Sequence, residues 1–168
     1  MVIFNKKRLA MDAVPERLFD YELERNKPLP TLVHGAIQFN IGFQIKVNYP
    51  NRFRIASEVS LATKPAGSTP DLVLYPAASL DFKYDPAKRA DPPLLVVEIQ
   101  SASQSTKDMV DKLEPYFYLG VKSCWIVVPD LQAVLVYDSL FHYTFFHGAN
   151  VVRDDVLDID IPLVDVFK

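Results

Sequence analysis

The chain has 168 residues, of which 49% are hydrophobic, 12% aromatic and 23% charged, a composition outside the disordered class and sufficient for one packed core. Its 18 basic and 21 acidic side chains leave a net charge of −3, which excludes a general electrostatic pull on nucleic acid and leaves that role to a local basic patch. No apolar run approaches the ~20 residues that span a bilayer. The basic residues of MVIFNKKRLAMDAV follow its apolar patch, the reverse of the order in a secretory signal, so the expectation is a single domain over residues 1–168 in the cytoplasm, away from membranes.

In chain order, MDAVPERLFDYEL reads as a short helix with Pro15 near its start, followed by a turn at ERNKPLP. The next segment carries two patterns at once. Ile37, Phe39, Ile41, Phe43, Ile45 and Val47 alternate as in a strand, whereas Val33, Ile37, Ile41 and Ile45 form a four-residue ladder that suits a helix; pattern alone favours the strand. FRIASEVSLAT alternates like a strand, and KPAGST is a loop by composition. Two apolar runs, LVLYP and LLVVEI, predict buried strands separated by a long polar connection holding a hairpin or an excursion.

After them, Ser105 and Asp108 have the spacing of a capping box, Gly120 is a terminator, and Met109, Leu113, Tyr116 and Phe117 form the buried stripe of the helix between. Pro115 inside that helix predicts a kink or an early end. SCWIVV and AVLVYD, joined by Pro129 and Asp130, predict an antiparallel hairpin, and FHYTFF follows as a further strand. The alternating tail DDVLDIDIPLVDVFK is expected to end as an edge segment. Cys124, the only cysteine, lies in an apolar strand and reads as packed and unreactive.

The chemistry concentrates on two acids. Asp71 opens one buried run and Glu98 closes another, and a charge on such a strand requires a partner. If both lie at one end of a sheet, their oxygens converge on a hard cation such as Mg2+ or Mn2+, whose charge offsets the repulsion and desolvation of two neighbouring carboxylates. Gln100, two residues beyond Glu98, would look into the same site and hydrogen-bond a water, but it supplies no positive charge. A cation must come from the following helix, where Lys112 borders the buried stripe and Lys107 sits in the first turn, placed to meet a phosphate. Taken alone, the two acids also fit strand ends satisfied by caps and water. His34 reads first as a packed or capping residue and second as a substrate contact. His142 and His147 would point to opposite strand faces, which argues against a zinc pair. Glu58 reads as a solvated or paired acid, and the YTFF cluster as core or dimer surface.

The order DYELERNKPLP, HGAIQFNI, SEVSL, TPDLVLYP, LLVVEIQSASQST, DKLEPYFYLGVKSCWIVVP and VLVYD resembles the Uma-two family of restriction endonucleases, whose fold belongs to the PD-(D/E)XK nuclease group, over roughly residues 20 to 138. The resemblance implies an α/β (α+β) restriction-endonuclease-like mixed sheet flanked by helices, with the segment from His34 to Val47 helical against its alternation. It implies a Mg2+- or Mn2+-dependent endonuclease acting on DNA, with a homodimer plausible because duplex cutting needs two active sites. Carried over by position, the acidic pair falls on Asp71 and Glu98, with the Ile99 carbonyl as a further metal ligand. The helix lysine falls on Lys112, and a water-holding glutamate on Glu22. Two departures affect loop geometry: SASQS lacks the family's proline, and Asn26 stands where a glycine is usual. Gln100 in the place where many such nucleases carry lysine, together with the net acidity, supports a rival reading: a module that kept the fold, lost the cutting, and binds nucleic acid or a protein partner.

Overall fold

The structure is a computed structural model and describes residues 30–168; the helix expected over MDAVPERLFDYEL, and Glu22 with it, lie outside them. The first element, α1 (Leu32–Asn48), settles the ambiguous segment as a helix. Thr31 caps it, its side-chain oxygen accepting the His34 N–H at 3.3 Å. The isoleucine ladder wins because Ile37, Ile41 and Ile45 bury one stripe against the sheet, while Phe39 and Phe43, the other half of the alternation, are left 71% and 52% exposed.

A six-stranded sheet follows in the order β1 (Phe53–Ser57), β2 (Leu72–Pro76), β3 (Leu95–Ile99), β4 (Ser123–Val128), β5 (Ala133–Ser139) and β6 (His142–His147). Every neighbouring pair is antiparallel except β3 and β4, which run parallel. That one parallel pair needs a crossover, and the helices α2 (Thr106–Asp111) and α3 (Leu113–Leu119) provide it. All five residues of β3 are buried, as the continuous apolar run requires. Leu95, Val97 and Ile99 face the layer that contains α1, whereas Val96 packs with Met109, Leu113 and Tyr116 of the crossover helices.

The crossover explains Pro115. The helix expected over this stretch is two helices meeting at Lys112, and Pro115 lies in the first turn of α3, where a missing N–H removes no helical bond. Ser105 and Asp108 form the full capping box on α2. Gly120 ends α3 at φ 110, and a Cβ there would lie 3.3 Å from the Pro92 ring. Pro129–Leu131 turns the chain from β4 into β5 as the hairpin reading required.

Of the two alternatives for the connection from Ala77 to Leu94, the excursion is the one found: it holds no hairpin and bridges from Arg89 to Leu61. Two expectations need correction. The strand after Arg52 stops at Ser57, because Glu58 adopts a left-handed backbone with φ 55, which a continuing strand does not accommodate. The tail is no edge segment. It forms a separate antiparallel pair, β7 (Val151–Asp154) and β8 (Ile159–Pro162), and a short α4 (Leu163–Val166), with Val152, Ile159, Ile161, Leu163 and Val166 all in the α1-side core. The alternation of acids and apolar residues there marks one face turned inward.

Candidate active site

The position of Asp71 follows from strand register. The β2–β3 ladder ends with Leu72 paired to Val97; Asp71 immediately precedes the one and Glu98 immediately follows the other. The two acids therefore lie at the same end of the sheet, and both line one cavity. Both are 2% exposed.

Main-chain and side-chain contacts hold each acid in place. Asp71 Oδ2 accepts the Ile99 N–H at 2.7 Å and lies 3.3 Å from His34 Nε2. The Asp71 carbonyl accepts from Gln38 Nε2 at 2.8 Å and from the Glu58 N–H at 3.2 Å, which ties α1 and the end of β1 to this corner. Glu98 Oε2 accepts from Lys112 Nζ at 2.8 Å, and Glu98 Oε1 accepts from the Tyr116 hydroxyl. Lys112 occupies the junction between α2 and α3, with its side chain 26% exposed, so its ammonium meets both the buried carboxylate and solvent.

Asp71, Glu98, Lys112 and His34 line a cavity of about 280 Å3, bounded on one side by the start of α1 and on the other by the loop that follows β3. Among the described residues lining it are Asp71, Glu98, Asp130 and one fully charged cation, Lys112. Acidic side chains therefore outnumber basic ones on the described part of the wall. A positive species in the cavity would be electrostatically favoured.

The sequence-derived candidates are distributed unevenly around this cavity. Asp71, Glu98, Ile99, Gln100, Lys112 and His34 all line it. The Ile99 side chain packs in the α1-side core, so what this residue offers the cavity is its main chain. Gln100 donates its amide to the Gln104 carbonyl at 2.8 Å, and Gln104 Oε1 accepts from the Ser101 N–H and hydroxyl at 3.1 and 3.0 Å. Through this amide bond the Gln100 side chain also braces the SASQS loop. Lys107 does not line the cavity; it is exposed and pairs with Asp111 one helical turn away. Glu58 also lies outside the wall.

Tyr116 is the residue that sequence reasoning assigned to the core alone. The signal was present: it follows Lys112 by four residues, so a lysine that reaches Glu98 brings the tyrosine to the same place. Cys124 carries no reactive character, because burial and then the negative charge of Glu98 push its thiol up. His142 pairs with Asp138 at 2.7 Å, away from the cavity. Among the described residues, no three His, Cys, Asp or Glu side chains converge as a metal cluster, and no helix is long and apolar enough to cross a membrane.

Comparison with known proteins supplies the family context. Residues 15–147 match the model of the Uma2 family, whose description is "Putative restriction endonuclease". The fold is similar to that of a solved protein from Anabaena variabilis ATCC 29413, described as a "putative nuclease belonging to DUF820", with a TM-score of 0.71, 20% sequence identity and 83% of each chain covered. No curated protein matches the chain.

Proposed function

The chain belongs to the Uma2 family of nuclease-fold proteins, and on that premise we propose that it is a Mg2+- or Mn2+-dependent DNA endonuclease acting as a homodimer. The observation that carries this reading is that Asp71 and Glu98, both buried, line one cavity, with Asp71 bonded to the Ile99 N–H and Lys112 on Glu98. The donor set suits a hard divalent ion: two carboxylates and the Ile99 main chain offer oxygen, and the cavity wall has more negative than positive charge. A bound ion of this kind supplies Lewis acidity and a water of lowered pKa.

The chain's own residues account for the rest. Asp71 and Glu98, with the Ile99 carbonyl, would hold the ion. Lys112 is placed to stabilise negative charge that grows on a scissile phosphate as a water gives a proton to solvent, its oxygen bonds to phosphorus and the bond to the leaving sugar oxygen breaks, that oxygen taking a proton from solvent. Gln100 keeps the loop beside the site in shape. Glu22 is the proposed water-orienting acid, and Lys107 and His34 are proposed contacts to the DNA backbone, Lys107 from its exposed place on α2.

A second reading has its own support. The Gln100 amide is committed to the Gln104 carbonyl, so the place where many such nucleases carry lysine offers the cavity neither charge nor a free amide donor toward Gln104. A module that binds DNA or a protein without cutting it is consistent with that. The two separate in one assay. Incubation of purified protein with plasmid and single-stranded DNA at low salt should give cleavage that requires Mg2+ or Mn2+ and disappears in Asp71→Asn; intact DNA with either metal would overturn the nuclease reading.

A further inference from the structure

We infer that Tyr116 is a positioning residue of the site, which fixes the plane of the Glu98 carboxylate through its hydroxyl. The inference rests on the proposed metal-dependent reading of the cavity and goes further than it by adding a residue that does not itself line the cavity.

The argument starts from the freedom of a glutamate. Its terminal torsion is broad, so a carboxylate held at one oxygen swings about that contact. Lys112 holds Oε2, but its side chain is long and partly exposed and has its own rotamer freedom. Tyr116 supplies the second anchor from the opposite quality of side chain. Its ring is buried in the core with Met109, Leu113, Val96 and Cys124, it has two side-chain torsions, and its hydroxyl donates to Oε1. Two anchors on two oxygens fix a plane where one fixes only a pivot.

The two anchors also share an origin. Lys112 is the junction residue of the broken crossover, and Tyr116 lies one turn further along α3, so one short helix presents both donors to one carboxylate. A phenol carries its proton at neutral pH, so the hydroxyl is an O–H donor to the carboxylate. A residue whose only task was to fill the core would not need that hydroxyl, since phenylalanine has the same ring.

The test is Tyr116→Phe in the full chain, with Tyr118→Phe as the control because Tyr118 is exposed on the same helix. Thermal unfolding checks the fold, calorimetry measures Mn2+ binding, and steady-state cleavage separates kcat from KM. Contacts that orient a metal ligand carry about 10–100-fold in affinity or activity. Tyr116→Phe is therefore expected to fold, to bind Mn2+ at least about tenfold more weakly, and to lose kcat with the KM for DNA unchanged, while Tyr118→Phe matches the parent. A crystal structure of Tyr116→Phe should show Glu98 turned from its present plane. A folded Tyr116→Phe with parental Mn2+ affinity and kcat would overturn the inference. A parent protein that neither binds Mn2+ nor cuts DNA would instead remove the functional reading, and this inference with it.

Discussion

Two buried acids, Glu98 and Asp154, show how the same chemical feature has different meanings at different places in one fold. Asp154, at the end of β7, is wholly buried. Its Oδ2 accepts from Ser123 Oγ at 2.6 Å and Trp125 Nε1 at 2.8 Å, and its Oδ1 from the Val156 and Leu157 N–H groups at 3.0 Å each. Four neutral donors surround it and it does not line the cavity. Glu98, on β3, is almost as deeply buried, yet its contacts among the described residues include the Lys112 ammonium and the Tyr116 phenol, and a cavity opens beside it. Burial of a charge alone is therefore no signature of a site. An acid enclosed by main-chain and indole donors fastens the β7–β8 pair to the central sheet. An acid with a mobile cation and space beside it is available for chemistry.

Substitution should separate the two most strongly in stability. Asp154→Ala leaves buried donors without acceptors, and unfolding by denaturant should show a loss of about 3 kcal/mol or more. Glu98→Gln keeps a carbonyl oxygen for Tyr116 and lets Lys112 turn to water, so the same measurement should show about 1 kcal/mol, while any DNA cleavage is lost. Equal costs for the two would remove the contrast. At the edge of the site only stability should change: Ser105→Ala removes the capping box of α2 and should cost about 1 kcal/mol in unfolding, with Mn2+ binding retained because the Lys112 and Tyr116 contacts come from the junction and from α3.

Much of this arrangement was legible in the chain before folding. The capping box at Ser105 and Asp108, the terminator Gly120 and the effect of Pro115 depend on neighbours in sequence, and all appear where local rules place them. The acid pair was legible as a question, since two charges opening and closing apolar strands require partners. The family resemblance added the helical state of the segment from His34 to Val47, which local alternation contradicts. That contradiction has a physical cause: alternation and the four-residue ladder share Ile37, Ile41 and Ile45, and only the sheet packed against them decides which face is buried.

What stayed hidden depends on contacts between distant segments. Tyr116 looked like core because its ring is core; only its hydroxyl, next to a carboxylate 18 positions earlier in the chain, belongs to the site. The tail looked like an edge because alternating acids suit solvent, and nothing local says that Asp154 would meet Trp125. Gln100 lines the cavity as its place two residues beyond Glu98 implies, but its bond to Gln104 depends on a loop that returns to it, which no local rule dictates.

The most direct test of the account is Mn2+ binding measured by calorimetry on the parent chain and on Asp71→Asn, a change that keeps an oxygen to accept the Ile99 N–H and so should preserve the fold. The account predicts one divalent-ion site per chain in the parent and its loss in the folded variant. Binding of equal strength in both, or no binding in the parent, would contradict it.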